Sequence, residues 1–376
     1  MPGLYFHIPF CKQACHYCDF HFSTNLTRTE EMIDAMVQEL AMQKNYLDNN
    51  KLTSIYFGGG TPSLLKANHF EIIFNAIDQI FQRDLTCEIT LEANPDDLST
   101  VQLDMFLKAG VNRLSIGIQS FDDEILRFIN RAHDSKMAIT ALENVRKAGF
   151  ENFSLDLIYA IPGQDNALLK KNIETALLFS PQHISAYGLT IEPQTVFGNW
   201  ASKNKLTQVE ESLNADQFEL ISNELIANGY EHYEISNYSK PGNYSRHNSS
   251  YWKQTPYLGI GPSAHSYNKV SRQFNINNNA AYIKAIKNNE IPFQLETLTI
   301  ENKINEYVFT TLRTIWGCNL EVLKEEYQFD LIHRNKTYVD KLIQEELVIL
   351  DSSILSLTNK GKLLADQIAL ELMVQP

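Results

Sequence analysis

Three of the five cysteines in this 376-residue chain, Cys11, Cys15 and Cys18, fall within eight residues of one another. Cys87 and Cys318 stand alone and read as small buried hydrophobes. An odd count with such crowding does not describe a disulfide framework; it describes metal ligation. Thiolates on a short loop suit an iron–sulfur cluster or zinc. A cubane has four irons, so three cysteines leave one iron without a protein ligand. S-adenosylmethionine (SAM) can bind that iron through its amino and carboxylate groups, and an electron from the cluster then cleaves its C–S bond to give a carbon radical. The alternative at this point is a Cys3His zinc site with His16 or His21 as the fourth ligand.

The elements that must hold this loop follow a strand-then-helix rhythm over the first 190 residues. Strand-like runs are expected at Leu4–Ile8, Ser54–Phe57, Cys87–Glu92, Arg113–Ile118, Phe153–Ile158 and His183–Leu189, with helical patterns between them, including Thr29–Tyr46, Asn68–Phe81, Val101–Ala109 and Met137–Ala148. Thr29 and Ser99 stand where N-caps belong, and Gly110 and Gly149 where C-terminal glycines belong. The alternation predicts an α/β fold with a parallel sheet, most of a (β/α) barrel with six repeats. The expected strands run into Gly58-Gly59-Gly60-Thr61-Pro62, Glu92, Gln119 and Tyr187-Gly188, with Asp156 inside SLDLIYAIPG, so one rim of the barrel collects polar groups. Singly, each is an ordinary turn or cap residue.

From about residue 190 the rhythm changes. A long helix is expected at Gln208–Asn228. The aromatic-rich stretch Tyr230–Tyr267, with Pro256, Gly259, Gly261 and Pro262, reads as loops and short strands. Beyond Ala280 come helices, then a hairpin at Leu347–Leu357, a winged-helix-like arrangement. Residues 301–376 hold 8 Lys/Arg against 12 Asp/Glu, and the whole chain carries a formal charge of −13, so a nucleic-acid partner is not expected. With 44% hydrophobic and 20% charged residues the chain reads as folded, not disordered. Neither a signal peptide nor 18 uninterrupted apolar residues is apparent, so a cytoplasmic location is expected.

The segment HIPFCKQACHYCDF resembles the cysteine signature of the radical SAM superfamily, and GGGTP its Gly-rich segment. LYFHIPFC, YFGGGTPS, RLSIGIQSF, INRAHD and LDLIYAIPGQ are similar to the HemN-like branch. That branch holds the oxygen-independent coproporphyrinogen III dehydrogenase and the HemW-type heme chaperones. The resemblance implies a radical SAM core barrel over 1–235, a segment 236–280 with a heme motif, and a helical C-terminal domain over 281–376. It implies a [4Fe–4S] cluster on Cys11, Cys15 and Cys18. SAM would lie near Tyr5, Gly59, Gly60, Thr61, Glu92, Gln119, Arg131 and Asp156, with Tyr17 packed on the cofactor. Without the family, Arg131 reads as a solvated charge and Tyr17 as loop filler.

Three features favour the chaperone over the dehydrogenase. Phe20 stands where the dehydrogenase has a further cysteine. Tyr5 follows the start of the chain too closely for the dehydrogenase's N-terminal extension. Residues 247–252 read His-Asn-Ser-Ser-Tyr-Trp, matching the HNxxYW motif associated with heme in HemW-type chaperones. The resemblance thus implies His247 as a heme-iron ligand, Tyr251 and Trp252 in support, and His232 and His265 as competitors. It also implies heme-acceptor proteins as partners, respiratory hemoproteins among them, together with an unidentified electron donor, a homodimer and a transient membrane association. The rival activity is radical decarboxylation of coproporphyrinogen III, which is not expected of this branch.

Overall fold

Six parallel strands, hydrogen-bonded in sequence order, form the centre of the protein. A computed structural model describes residues 2–374. The strands are β1 (Gly3–Ile8), β2 (Lys51–Gly59), β3 (Gln82–Ala93), β4 (Arg113–Gln119), β5 (Phe153–Tyr159) and β6 (His183–Gly188). Their pairing is parallel throughout, for example Tyr5 with Tyr56, Phe57 with Leu91, Leu91 with Leu114, and Leu155 with Ile184, with register shifts at Leu52/Ser54 and Gly117/Gln119. Helices Thr29–Met42, Ala67–Ile80, Thr100–Ala109, Ser135–Ala148 and Asn166–Leu178 return the chain between strands. Their apolar faces and the outward strand residues (Leu4, Phe6, Ile55, Phe57, Ile73, Phe106, Leu142, Leu155) make one continuous core. This is the α/β partial barrel of six strands that the rhythm predicts.

Local signals held unevenly. Ser99 accepts the Gln102 N–H as an N-cap, and Gly110 and Gly149 take the left-handed conformation at helix ends. Thr29 does not cap: its hydroxyl donates to the Leu26 carbonyl, and the helix begins without a side-chain cap.

The sheet grows beyond six strands at both edges. The stretch read as loops and short strands supplies β7 (Glu231–Glu234), β8 (Asn237–Ser239), β9 (Tyr257–Ile260) and β10 (His265–Tyr267), and β11 (Ser271–Asn275) and β12 (Phe293–Thr297) follow it. The order is β12-β11-β10-β9-β1-β2-β3-β4-β5-β6-β8-β7, with β9 parallel to β1 and β8 antiparallel to β6. Glu39, buried in the first helix, fixes the new edge. It accepts the Gly261 N–H at 2.8 Å, the Asn275 amide at 2.6 Å and the Tyr282 hydroxyl.

The C-terminal module has its own core around Val308, Leu323, Leu342 and Leu355. Its helices surround a three-stranded antiparallel ribbon of β13 (Cys318–Asn319), β15 (Ile354–Leu357) and β14 (Val348–Asp351). Arg313 joins this module to the barrel: it pairs with Glu234, which is 1% exposed, and with Asp366. Among the described residues no helix is long and apolar enough to cross a membrane.

Candidate functional site

The cysteine loop leaves β1 and closes on itself. The Cys11 N–H donates to the Ser23 carbonyl and the Ser23 N–H to the Pro9 carbonyl. The Gly-rich end of β2 pins it from below: Gly60 N–H donates to Ile8 O at 2.9 Å and Thr61 N–H to Phe10 O at 2.7 Å. A Cβ at Gly60 would come within 2.6 Å of the Phe10 carbonyl, so only glycine permits this approach. Asn130 holds the far side, donating to Ala14 O and accepting from Gln13.

All three thiols are half-buried. The Thr61 hydroxyl lies 3.4 Å from Cys11 Sγ, and Arg131 lies 3.3 Å from Cys15 Sγ. Burial pushes the Cys11 thiol up to about 11 and the Cys18 thiol up to about 12, so these two keep their protons until a metal displaces them. The histidines considered as a fourth zinc ligand are engaged elsewhere. His16 Nδ1 is bonded to the Phe128 carbonyl and its ring packs on Phe197 and Trp200. His21 Nε2 is bonded to Asn279. Among the described residues no three His, Cys, Asp or Glu side chains converge as a single ion would require. A multi-iron cluster takes one thiolate per iron and needs no such convergence, so the donor set fits a cluster with one iron left open.

Of the residues matched to SAM positions, Gly59, Glu92 and Gln119 stand at or near the C-terminal ends of β2, β3 and β4, whereas Tyr5 and Asp156 lie midway along β1 and β5. Tyr5 stacks on Tyr56, and its hydroxyl meets His7 Nδ1 at 3.1 Å. Glu92 accepts from the Tyr56 hydroxyl at 2.8 Å and the Gly59 N–H at 3.1 Å. Burial pushes its carboxyl up to about 7. Gln119 follows a bulge in β4 and holds φ at 65°, a left-handed conformation of the kind that persists where surrounding contacts compel it. Arg131 reaches the Cys15 thiol, the Tyr17 hydroxyl, the Asn94 side chain and the Gly117 carbonyl. It therefore braces the loop rather than pointing to solvent. Asp156, on β5, accepts from Ser115 at 3.2 Å, and burial raises its carboxyl. His7 and Tyr56 escaped the sequence reading although they occupy the same inward alternation as Tyr5 and Glu92.

A cavity of about 920 Å³ opens beside this rim. Tyr5, Tyr56 and Glu92 line it from the barrel, β9–β11 contribute Tyr257, Tyr267 and Phe274, and the C-terminal module contributes Thr310 and Arg313. The helix Arg246–Trp252, capped by Ser245, forms one wall. Phe20, 65% exposed, stands at its edge. His247 lines the cavity but is 1% exposed. Its Nδ1 is bonded to Ser54 Oγ and its Nε2 to the Tyr251 hydroxyl, each at 2.8 Å. Burial, with the Arg113 charge second, lowers its imidazole to about 3, so the ring is neutral. His232 lies away from the cavity lining, bonded to Ser222 and the Ile235 carbonyl. His265 lines the cavity and is exposed.

Comparison with known proteins gives a consistent picture. Residues 5–176 match the radical SAM superfamily model. Over 98% of each chain the sequence is 36% identical to a protein of Bacillus subtilis described as heme chaperone HemW. A protein of Escherichia coli with the same description is 37% identical over 70% of this chain and 69% of its own length. Among solved structures, coproporphyrinogen III oxidase (HemN) from Escherichia coli superposes with a TM-score of 0.85 at 22% identity, covering 99% of this chain and 90% of that one.

Proposed function

The chain belongs to the HemW family of heme chaperones within the radical SAM superfamily, and from that premise we propose that it binds heme and passes it to acceptor proteins. The observation that carries the reading is the aromatic cavity beside the cysteine loop, walled on one side by the helix bearing HNSSYW. Its volume suits a ligand larger than a nucleoside, and its tyrosines, Phe274 and Trp252 offer flat apolar faces to a macrocycle. Arg272 and Arg313 line it as well and can answer carboxylates.

Cys11, Cys15 and Cys18 would hold the [4Fe–4S] cluster, with SAM among Tyr5, Gly59, Gly60, Thr61, Glu92, Gln119, Arg131 and Asp156. When bound, the pair supplies one-electron cleavage of a sulfonium C–S bond. The chain's own part is positional: Gly60 and Thr61 fix the loop height, Arg131 braces Cys15 and Tyr17, and Glu92 ties the Gly59 turn to Tyr56. Tyr251 and Trp252 would cover heme, and His247, in the same wall, would serve as its iron ligand. Acceptors of the respiratory type, an electron donor, a homodimer and transient contact with a membrane complete the proposal.

The test pairs two assays on the full chain, reconstituted without oxygen. Titration with ferric heme should give a saturable spectrum, and apo-hemoprotein added afterwards should take the heme up. Coproporphyrinogen III with SAM and a reductant should remain unchanged. Decarboxylation without saturable heme binding would overturn the reading in favour of the dehydrogenase.

A further inference from the structure

Buried hydrogen-bond donors are nearly always paired, so an unpaired one in a cavity wall calls for a ligand atom or a water. Two such donors stand two residues apart here. The Trp252 indole Nε1 and the Gln254 amide Nε2 are buried without a partner among the described residues, and both side chains line the cavity. Lys253, between them, turns the other way and lays its ammonium over the Trp316 ring at 4.1 Å.

The turn that ends the helix Arg246–Trp252 sets Gln254. Its φ of 50° is left-handed, and the backbone is tied on either side of it, Gln254 N–H to Tyr251 O at 3.0 Å and Thr255 N–H to Ser250 O at 2.9 Å. A residue other than glycine keeps such a conformation where its surroundings compel it, and such positions gather at ligand sites.

A cation stands beside the two donors. The Arg313 guanidinium carbon lies 5.7 Å over the Trp252 ring. Arg313 is tied to Glu234 through Nε and to Asp366 through Nη1. Glu234 also accepts from the Ser236 N–H and the Asn237 amide, so its own charge is answered before any ligand arrives. Two N–H donors next to a fixed guanidinium select an acceptor that carries negative charge, and a carboxylate offers two such oxygens.

We propose that Trp252 Nε1 and Gln254 Nε2, backed by Arg313, hold a propionate carboxylate of the heme. The proposal rests on the heme reading above and gives the ligand an orientation, with iron at His247 and a carboxylate edge toward the C-terminal end of the same helix. Trp252 lies five residues beyond His247, about 7.5 Å along the helix axis, the scale that separates the centre of a macrocycle from its edge. Trp252 thus serves by its N–H as well as by its ring, and Gln254, outside the HNSSYW segment, becomes a specificity-determining residue.

The test titrates the full chain, reconstituted without oxygen, with ferric heme and in parallel with its dimethyl ester, in which both carboxylates are capped. Wild type should bind heme at least about tenfold more tightly than the diester, as charge-assisted hydrogen bonds imply. Trp252→Phe and Gln254→Met each remove one donor and keep an apolar side chain. Each should cut that preference roughly threefold, and the double variant about tenfold. A merely structural defect would weaken both ligands alike and leave the ratio where it was. The inference falls if wild type binds the two ligands equally. It falls too if the double variant keeps the full preference, as it would were water the partner of both donors; the heme reading then survives. Absence of saturable binding of either ligand by the wild-type chain sinks both.

Discussion

The cysteine loop and the aromatic cavity are neighbours built by different means. All three thiols of the loop come from residues 11–18, and short backbone bonds to Ile8, Phe10 and Ser23 set its shape. The cavity draws on residues from Tyr5 to Arg313, and its walls meet only because β9 joins β1 and Arg313 joins Glu234. A site defined by donor spacing can sit on one loop. A site defined by shape needs the whole sheet and a second module. Glu92 belongs to both, holding the Gly59 turn while lining the cavity.

The largest effect should come from Cys15→Ala. Reconstituted protein should lose nearly all its iron and sulfide, because among the described residues no His, Cys, Asp or Glu joins the remaining two thiols in a group that could hold metal. Heme titration of the same protein separates the regions: binding that persists keeps them independent, and joint loss would merge them into one site.

Arg313→Ala should act the other way, sparing iron content while damaging the cavity. It strips the cation from Glu234, a carboxylate 1% exposed, and removes the link to Asp366. Loss of about 2–3 kcal/mol in urea unfolding is expected, moderated because Ser236 N–H and Asn237 still donate to Glu234. Full stability with full heme affinity would show that the module contact does not shape the cavity.

The smallest effect concerns the shared residue. Folded, Glu92 keeps its proton until about pH 7; unfolded, it releases it near 4.3, the ordinary glutamic acid value. Between those values the folded chain binds more protons, so this contribution is present in acid, fades as pH rises to 7 and is constant above. Glu92→Gln removes the dependence. The stability of wild type relative to the variant should therefore fall by on the order of 2 kcal/mol between about pH 4.5 and 8. A difference that is flat or rises with pH refutes the assignment.

Much of the barrel was legible because its signals are local. The β4 run Arg113–Ile118 and the β5 run Phe153–Ile158 each gained one residue in the structure, and Ser99, Gly110 and Gly149 did what their types suggest. Thr29 failed as a cap because its hydroxyl found the Leu26 carbonyl, a competition that residue type alone does not reveal. The resemblance implied a cofactor role for Arg131, but nothing near it in sequence shows that Cys15, Asn94 and Gly117 surround its guanidinium. His247 drew attention through its motif, whereas His265 sat among aromatics with no pattern to distinguish it.

Residue order alone determined the thiol triad, the six βα repeats and the polar strand ends, because each depends on spacing along the chain or on the period of a strand. Tertiary structure alone decided which imidazole keeps a free nitrogen. That outcome depends on Ser54 and Tyr251 reaching His247 while, among the described residues, the His265 ring has a contact with the Phe274 ring but no hydrogen bond. Ser54 is 193 residues away from His247 in the chain. A hydrogen bond over that separation exists only after the sheet has closed the distance, and it is this bond that makes two chemically identical side chains unequal.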